Sequence, residues 1–234
     1  MTTRPTRPRD ADASRRRVFA AAAEEFAARG FDGAKVDRIA RRAGVNKAML
    51  YYHFTDKAAL YREVVGDMFA STAAAMRALR EAGGTPDAQL AGFIEVITRE
   101  GQSRQHFPAM WLRELADGGR HLGQSNFGDI FGILSTLAAI LKDGEGAGRF
   151  RRMPPFLVQI GIVGPLFMFL ATGSMRERLK ARMPAAPRKD VPPEMLVQYV
   201  RAMTMGALTG GEARRSGRAR NSARARTTGS AGKR

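Results

Sequence analysis

An all-α fold is predicted by two observations. Apolar residues recur at helical spacing along most of the 234-residue chain, and no segment shows the regular alternation and hairpin turns of a sheet. Clusters of glycine and proline interrupt that spacing at Gly83-Gly84, Gly118-Gly119, 144–148 and 184–193, where successive helices should end. No internal repeat is present.

The elements follow in order. A first helix is expected from about Ser14 to Ala28, with Val18, Ala22 and Phe26 on its buried face and Gly30 ending it. Val36, Ile39, Ala40 and Ala43 form the apolar stripe of a short second helix, leaving Asp37, Arg38, Arg41 and Arg42 to water. Gly44 stops this helix, since glycine takes the left-handed conformation without steric cost. Asn46 is a favoured N-cap for a third helix, and Val45 can pack on Leu50 to fix its entry angle. A long helix from Asp56 to about Glu81 carries Leu60, Val64, Met68, Ala75 and Leu79 on one face. Further helices are expected at about Pro86 to Gln102, Phe107 to Ala116, Gly123 to Lys142, Pro155 to Ala171 with a continuation towards Arg182, and Pro193 to Thr209.

The second and third helices form a helix-turn-helix whose outer face suits DNA. With Val45, Leu50 and Phe54 committed to the core, Lys47, Ala48, Met49, Tyr51, Tyr52 and His53 are left to divide between the domain surface and whatever it touches. Lys47 and Ala48 lie at the N-terminal end, where a recognition helix meets base edges: a donor for guanine and a methyl that permits close approach. Tyr51, Tyr52 and His53 are suitable phosphate partners. An ordinary amphipathic helix pair with solvated charges remains the alternative on these residues alone.

Composition narrows the classes further. A hydrophobic content of 44% is that of a globular protein with a sizeable core. The absence of cysteine removes disulfides and thiol chemistry and fits a cytoplasmic protein. The formal net charge of +17 favours polyanions, and much of it lies in two arms, 1–13 and 211–234, expected to be disordered. Non-specific nucleic-acid binding driven by these basic arms is therefore an alternative function. An enzyme is not expected, because His53, His106 and His121 sit in no zinc-protease motif, and neither a nucleophile elbow nor a Walker loop is present. No cofactor or metal site is expected. Ser14 to Phe19 superficially resembles a twin-arginine signal, but Glu24, Glu25 and Arg29 interrupt the apolar stretch it needs. The apolar run from Phe156 to Gly173 contains Gln159 and Pro165, and reads as a buried helix rather than a membrane span.

The motifs F-A-A-R-G-F-D-G-A, V-D-R-I-A-R-R-A-G-V-N-K-A-M-L-Y-Y-H-F and D-K-A-A-L-Y, from Arg15 to about Val65, resemble the DNA-binding domain of the TetR family of bacterial transcriptional regulators. The resemblance implies an N-terminal three-helix helix-turn-helix domain at 14–56 and a C-terminal helical ligand-binding and dimerisation domain at 57–210. It also implies base contacts by Lys47 and Ala48, and phosphate contacts by Tyr51, Tyr52, His53 and Lys57. The family usually has Ser or Thr where this chain has Lys35. Lysine cannot cap the second helix in that way, although its charge can serve a phosphate.

More loosely, the segments around Trp111, 148–152 and 161–170 are similar to one of the family's C-terminal domain types. By that resemblance the helices 155–171 and 193–209 form a homodimer, and a pocket between the middle helices takes a small, largely apolar effector. Phe93, Phe107, Met110, Trp111, Phe127, Phe131 and Phe167 are candidates for its lining, though the same residues also suit a plain core. The function so implied is that of a homodimeric repressor, bound to palindromic double-stranded DNA and released by the effector.

Overall fold

The computed structural model describes residues 8–182 and 191–210. The C-terminal arm and the first seven residues of the N-terminal one lie outside the described residues. Within these bounds the chain is helical, in the order α1 (Pro8–Gly33), α2 (Val36–Ala43), α3 (Lys47–His53), α4 (Lys57–Glu81), α5 (Pro86–Ser103), α6 (Phe107–Ala116), α7 (Gln124–Gly146), α8 (Pro155–Ala171), α9 (Gly173–Arg182) and α10 (Pro193–Thr209). Helix α1 starts at Pro8, ahead of the expected Ser14, so Pro8 to Ala13 are its opening turns rather than part of an arm.

Helices α1 to α3 form the N-terminal helix-turn-helix domain. Val18, Ala22 and Phe26 are fully buried on α1, and α2 packs Ile39, Ala40 and Ala43 against them in the same core. Near its end α1 is kinked at Gly30, whose φ of 69° and ψ of −179° lie outside helical space.

Helices α4 to α10 form the C-terminal domain, centred on α4, α5, α7 and α8. Helix α4 joins the two parts: it contacts α1 on one side and α5 and α7 on the other. Its apolar positions extend beyond the expected stripe, with Tyr61, Val65, Phe69, Thr72 and Met76 also buried, because neighbours cover it from two directions.

Two boundaries differ from expectation. Helix α7 runs through Gly144 to Gly146 instead of ending near Lys142. Gly144 is there for space: a Cβ on it would occupy the ring of Phe150, which folds back onto the helix. The stretch from Pro155 to Arg182 is two helices, α8 and α9, bent by 53°. No single described helix is long and apolar enough to cross a membrane.

Candidate DNA interface and effector cavity

The turn between α2 and α3 is set by backbone chemistry. Gly44 has φ 65° and ψ 35°, and Val45 N–H donates to the Ala40 carbonyl at 3.0 Å while Gly44 N–H donates to Arg41 at 3.2 Å. These paired bonds satisfy the last carbonyls of α2 and require the left-handed residue between them. The Asn46 side chain then accepts from Met49 N–H at 2.7 Å, starting α3 as its sequence suggests. Leu50 and Phe54 are buried beneath α3.

The opposite face of α3 is open. Lys47 and Ala48 are exposed at its N-terminal end, and Tyr52 is 75% exposed. Tyr51 is exposed beside it. The Lys47 ammonium pairs with the Asp37 carboxylate at 3.0 Å, and this hydrogen bond raises the lysine pKa above its ordinary value.

Three of the expected phosphate ligands have internal roles as well. The Ser14 hydroxyl donates to the Ala11 carbonyl at 2.8 Å, so the 2.7 Å contact with His53 requires His53 Nε2 to carry the proton and donate to Ser14 Oγ. Lys57 Nζ donates to the Ala34 carbonyl at 3.1 Å and stands 4.5 Å from the centroid of the Phe31 ring. Lys35 precedes α2 and makes no side-chain cap. Its backbone N–H donates instead to Glu25 at 3.3 Å, and Arg38 Nε donates to the same carboxylate at 2.6 Å. Burial alone would raise the Glu25 pKa, but the Arg38 bond, the Lys35 N–H and the nearby guanidinium charges outweigh it and hold the group below its ordinary value.

In the C-terminal domain a cavity of about 320 Å³ lies between α4, α5, α6, α7 and α8. Of the residues expected to line it, Trp111 and Phe167 do. Phe93 is fully buried in the core, and Phe107 and Met110 border a separate cleft of about 310 Å³ with Phe19, Val64 and His106. Phe127 and Phe131, also expected to line the cavity, do not. They are 50% and 70% exposed, because α7 turns Asn126, Ile133, Leu137 and Ile140 inward and leaves the two phenylalanines on its far side. The sequence reading missed Phe156, Gln159, Ile160 and Val163, which with Phe167 line the cavity from one face of α8. Their helical spacing was visible, but a helix apolar all round does not reveal which face is the wall.

Helix α6 connects this cavity to the DNA-binding domain. Trp111, Leu112 and Leu115 border the cavity, while Arg113 and Glu114 reach the other way. The Arg113 guanidinium donates to the Phe26 carbonyl at 3.3 Å and also to Ala27, capping the regular part of α1. Glu114, buried to 1% exposure, accepts from the Tyr61 hydroxyl at 2.8 Å and from the His121 backbone N–H at 2.9 Å, and its Oε2 lies 3.0 Å from His121 Nδ1. Burial, then the Glu114 carboxylate, push the Tyr61 pKa far above its ordinary value, so its hydroxyl stays a donor. Tyr61 and His121 pack around Phe31 of α1 with centroid distances of 5.2 and 4.3 Å. No group of three or more potential metal ligands gathers among the described residues.

Comparison with known proteins matches this geometry. The chain is 27% identical over 158 residues to the HTH-type transcriptional regulator RutR of Escherichia coli, covering 66% of this chain and 73% of that one. It is 29% identical over 155 residues to the HTH-type transcriptional repressor NicS of Pseudomonas putida, covering 64% and 73%. In fold it is similar to the transcriptional regulator FadR of Bacillus subtilis in complex with stearoyl-CoA, with a TM-score of 0.63 at 19% identity, over 82% of this chain and 98% of that one. Residues 18–64, which span the buried face of α1, the turn at Gly44 and the start of α4, match the model for bacterial regulatory proteins of the tetR family. Its N-terminal domain is of the TetR-family type, and the chain is a DNA-binding transcriptional regulator.

Proposed function

We propose that the protein is a homodimeric repressor that binds a palindromic operator in the cytoplasm and leaves it when a small apolar molecule enters the cavity beneath Trp111. The observation that carries this reading is the outer face of α3, where Lys47, Ala48, Tyr51 and Tyr52 are exposed together over a buried Leu50 and Phe54. Lys47 and Ala48 meet base edges in the major groove. Tyr51, Tyr52, His53, Lys35 and Lys57 hold phosphates on either side. Residues 8–56 are the DNA-binding unit, 57–210 the effector and dimerisation unit, and 1–7 and 211–234 basic arms that add phosphate contacts.

Two features support the dimer. Helices α8 and α10 pack side by side and leave Leu157, Met168, Met195 and Tyr199 each more than half exposed, large apolar side chains of the kind that an interface covers. One recognition helix reads few bases, and two must reach half-sites about 34–36 Å apart. Helix α6 supports the coupling: a ligand that moves Trp111 or Leu115 also moves Arg113 and Glu114, which hold α1 and Tyr61. The ligand then favours dimers whose recognition helices are wrongly spaced for successive major grooves.

Selection of duplexes from a randomised pool at near-physiological salt tests the reading, combined with sedimentation of the free protein and of its complex. Recovery of one palindrome, bound by two chains, is expected. Binding without sequence enrichment would make the protein a non-specific nucleic-acid binder, and a monomer on a single half-site would remove the dimer.

A further inference from the structure

The two basic arms join the protein at opposite poles. Helix α1 starts at Pro8, and Ser14 on it lies 2.7 Å from His53 at the end of α3, so residues 1–7 attach on the side of the recognition helix. The C-terminal arm attaches elsewhere. Helices α4 and α7 run side by side in the same direction: Asn126 Nδ2 donates to the Arg62 carbonyl at 3.3 Å near their starts, and Arg80 pairs with Asp143 at 3.0 Å near their ends. Helix α4 begins at the DNA-binding domain, where Lys57 reaches the Ala34 carbonyl, so its other end marks the distal pole. There the Phe150 N–H donates to the Gly144 carbonyl at 3.0 Å, and the Arg151 N–H donates to the Leu208 carbonyl at 2.9 Å. The Arg151 guanidinium also donates to the Ala207 carbonyl, so the last turn of α10 is held at this pole. From Lys57 to Arg80 a helix rises roughly 35 Å, at about 1.5 Å per residue. Everything after Gly210 therefore departs about that far from the DNA-binding domain.

The chemistry of the arm selects its partner. Residues 211–234 carry seven arginines and one lysine against a single carboxylate, Glu212. Guanidinium forks match phosphate oxygens. The arm has no aromatic ring to stack on an unpaired base and no large apolar side chain to enter a membrane interface. A duplex backbone needs neither. The operator under α3 is poorly placed to be that duplex, because roughly 35 Å takes about ten extended residues at about 3.3 Å each. Residues 211–220 would then lie along the body, with Arg214, Arg215, Arg218 and Arg220 away from its phosphates. A duplex at the distal pole meets all eight cations. Arg152 adds to them, being exposed and without an ion pair among the described residues, whereas Arg80 and Arg149 are neutralised by Asp143 and Asp87. Building on the reading of α3 as the operator-binding face, we infer that the arm 211–234 binds a second DNA duplex, without sequence preference, at the pole opposite the operator. The phosphates this arm contacts are those of another DNA segment, and the protein bridges the two.

The test holds the two sites apart. The duplex recovered from the randomised pool is immobilised, full-length protein is loaded at near-physiological salt, unbound protein is washed away, and a fluorescent random-sequence duplex is added. Loading reports α3, and retained fluorescence reports the arm. The full chain is expected to retain the second duplex, with a log affinity that falls against log salt with a slope of up to about seven. A chain ending at Gly210 should retain at least about tenfold less, while loading on the operator within about twofold of the full chain. The full-length variant with Arg214→Gln, Arg215→Gln, Arg218→Gln, Arg220→Gln, Arg224→Gln and Arg226→Gln should behave as the shortened chain does, which separates charge from length. Equal retention with and without the arm overturns the inference. So does operator loading weakened about tenfold by loss of the arm with no second duplex held, which would assign the arm to the operator's own phosphates. Preferential retention of poly-uridine RNA or of phosphatidylserine vesicles in the same format overturns the choice of partner. Failure to load removes the reading of α3 and the bridge with it, whereas normal loading without a second duplex removes the bridge alone.

Discussion

The helix-turn-helix and the cavity assign their residues in opposite ways. Around α3 the labour is divided by face: Leu50 and Phe54 hold the helix down, and Lys47, Ala48, Tyr51 and Tyr52 are free to meet a ligand as large as DNA. Around the cavity one side chain serves both ends. Phe69, Ile133 and Phe167 are at once core and wall, and α6 carries wall residues and inter-domain anchors only one position apart. A change on the outer face of α3 should therefore alter binding without altering stability, while a change at α6 or beneath it should alter stability first.

The strongest test of that contrast is Glu114→Ala. The substitution leaves the Tyr61 hydroxyl and the His121 N–H without their acceptor inside a closed joint. Removing a buried, multiply bonded carboxylate costs about 3 kcal/mol. Urea unfolding should show that loss, and Glu114→Gln, which keeps one acceptor oxygen, should lose less. A loss below about 1 kcal/mol would mean that this carboxylate contributes little and that the joint rests on apolar packing and the Arg113 bonds to α1.

Lys47→Ala probes the other side. Unfolding should be unchanged, since the ammonium is exposed and its partner among the described residues is an exposed Asp37. Affinity for a selected duplex should fall by about tenfold to a hundredfold, the value of one base contact at about 1–3 kcal/mol, with much smaller loss on random DNA. Tyr52→Phe should instead weaken both duplexes alike. Equal losses on both duplexes for Lys47→Ala would reassign the lysine to a phosphate.

The same contrast explains what could be read from the sequence. The turn at Gly44, the cap at Asn46 and the buried face of α2 lie within a few residues of one another, and each rests on local chemistry that a sequence displays directly. The cavity draws on five helices, from Met68 to Phe167, and no local pattern tells which aromatic faces it. Trp111 and Phe167 do line it, but Phe127 and Phe131, of the same chemical type, point to solvent. Gly144 reads as a breaker in the sequence because its partner, the Phe150 ring, is a tertiary one. Lys35 shows in sequence that α2 lacks a side-chain cap, yet only the structure shows that the Lys35 backbone N–H is held by the Glu25 carboxylate ten positions earlier.

Glu25 gives the helix-turn-helix a dependence on pH that the cavity lacks a counterpart for. Its folded pKa lies below the ordinary value of 4.5, so its contribution is fully present above that value and is lost as pH falls through the lower, folded one. Glu25→Gln should cost about 1 kcal/mol at neutral pH, through weaker bonds to Arg38 and Lys35. Stability curves of the two proteins should converge as the pH drops below 4.5. Parallel curves across that range would mean the carboxylate is no better held in the folded chain than in the unfolded one.

The smallest expected effect is a gain. Asp37 is exposed on the first turn of α2, and its carboxylate holds the ammonium that should approach base edges. Binding DNA requires that lysine to exchange a carboxylate for a base, and a second anion beside the phosphates to be tolerated. Asp37→Asn removes both obstacles while an amide oxygen remains near Lys47. Affinity for a selected duplex should rise severalfold, with a steeper dependence on salt because one more positive charge acts on the phosphates. The cost to α2 is a lost favourable charge at its N-terminus, about 0.5 kcal/mol. If affinity instead falls, the pair with Asp37 orients Lys47 for the groove, and the free geometry of α3 is already the bound one.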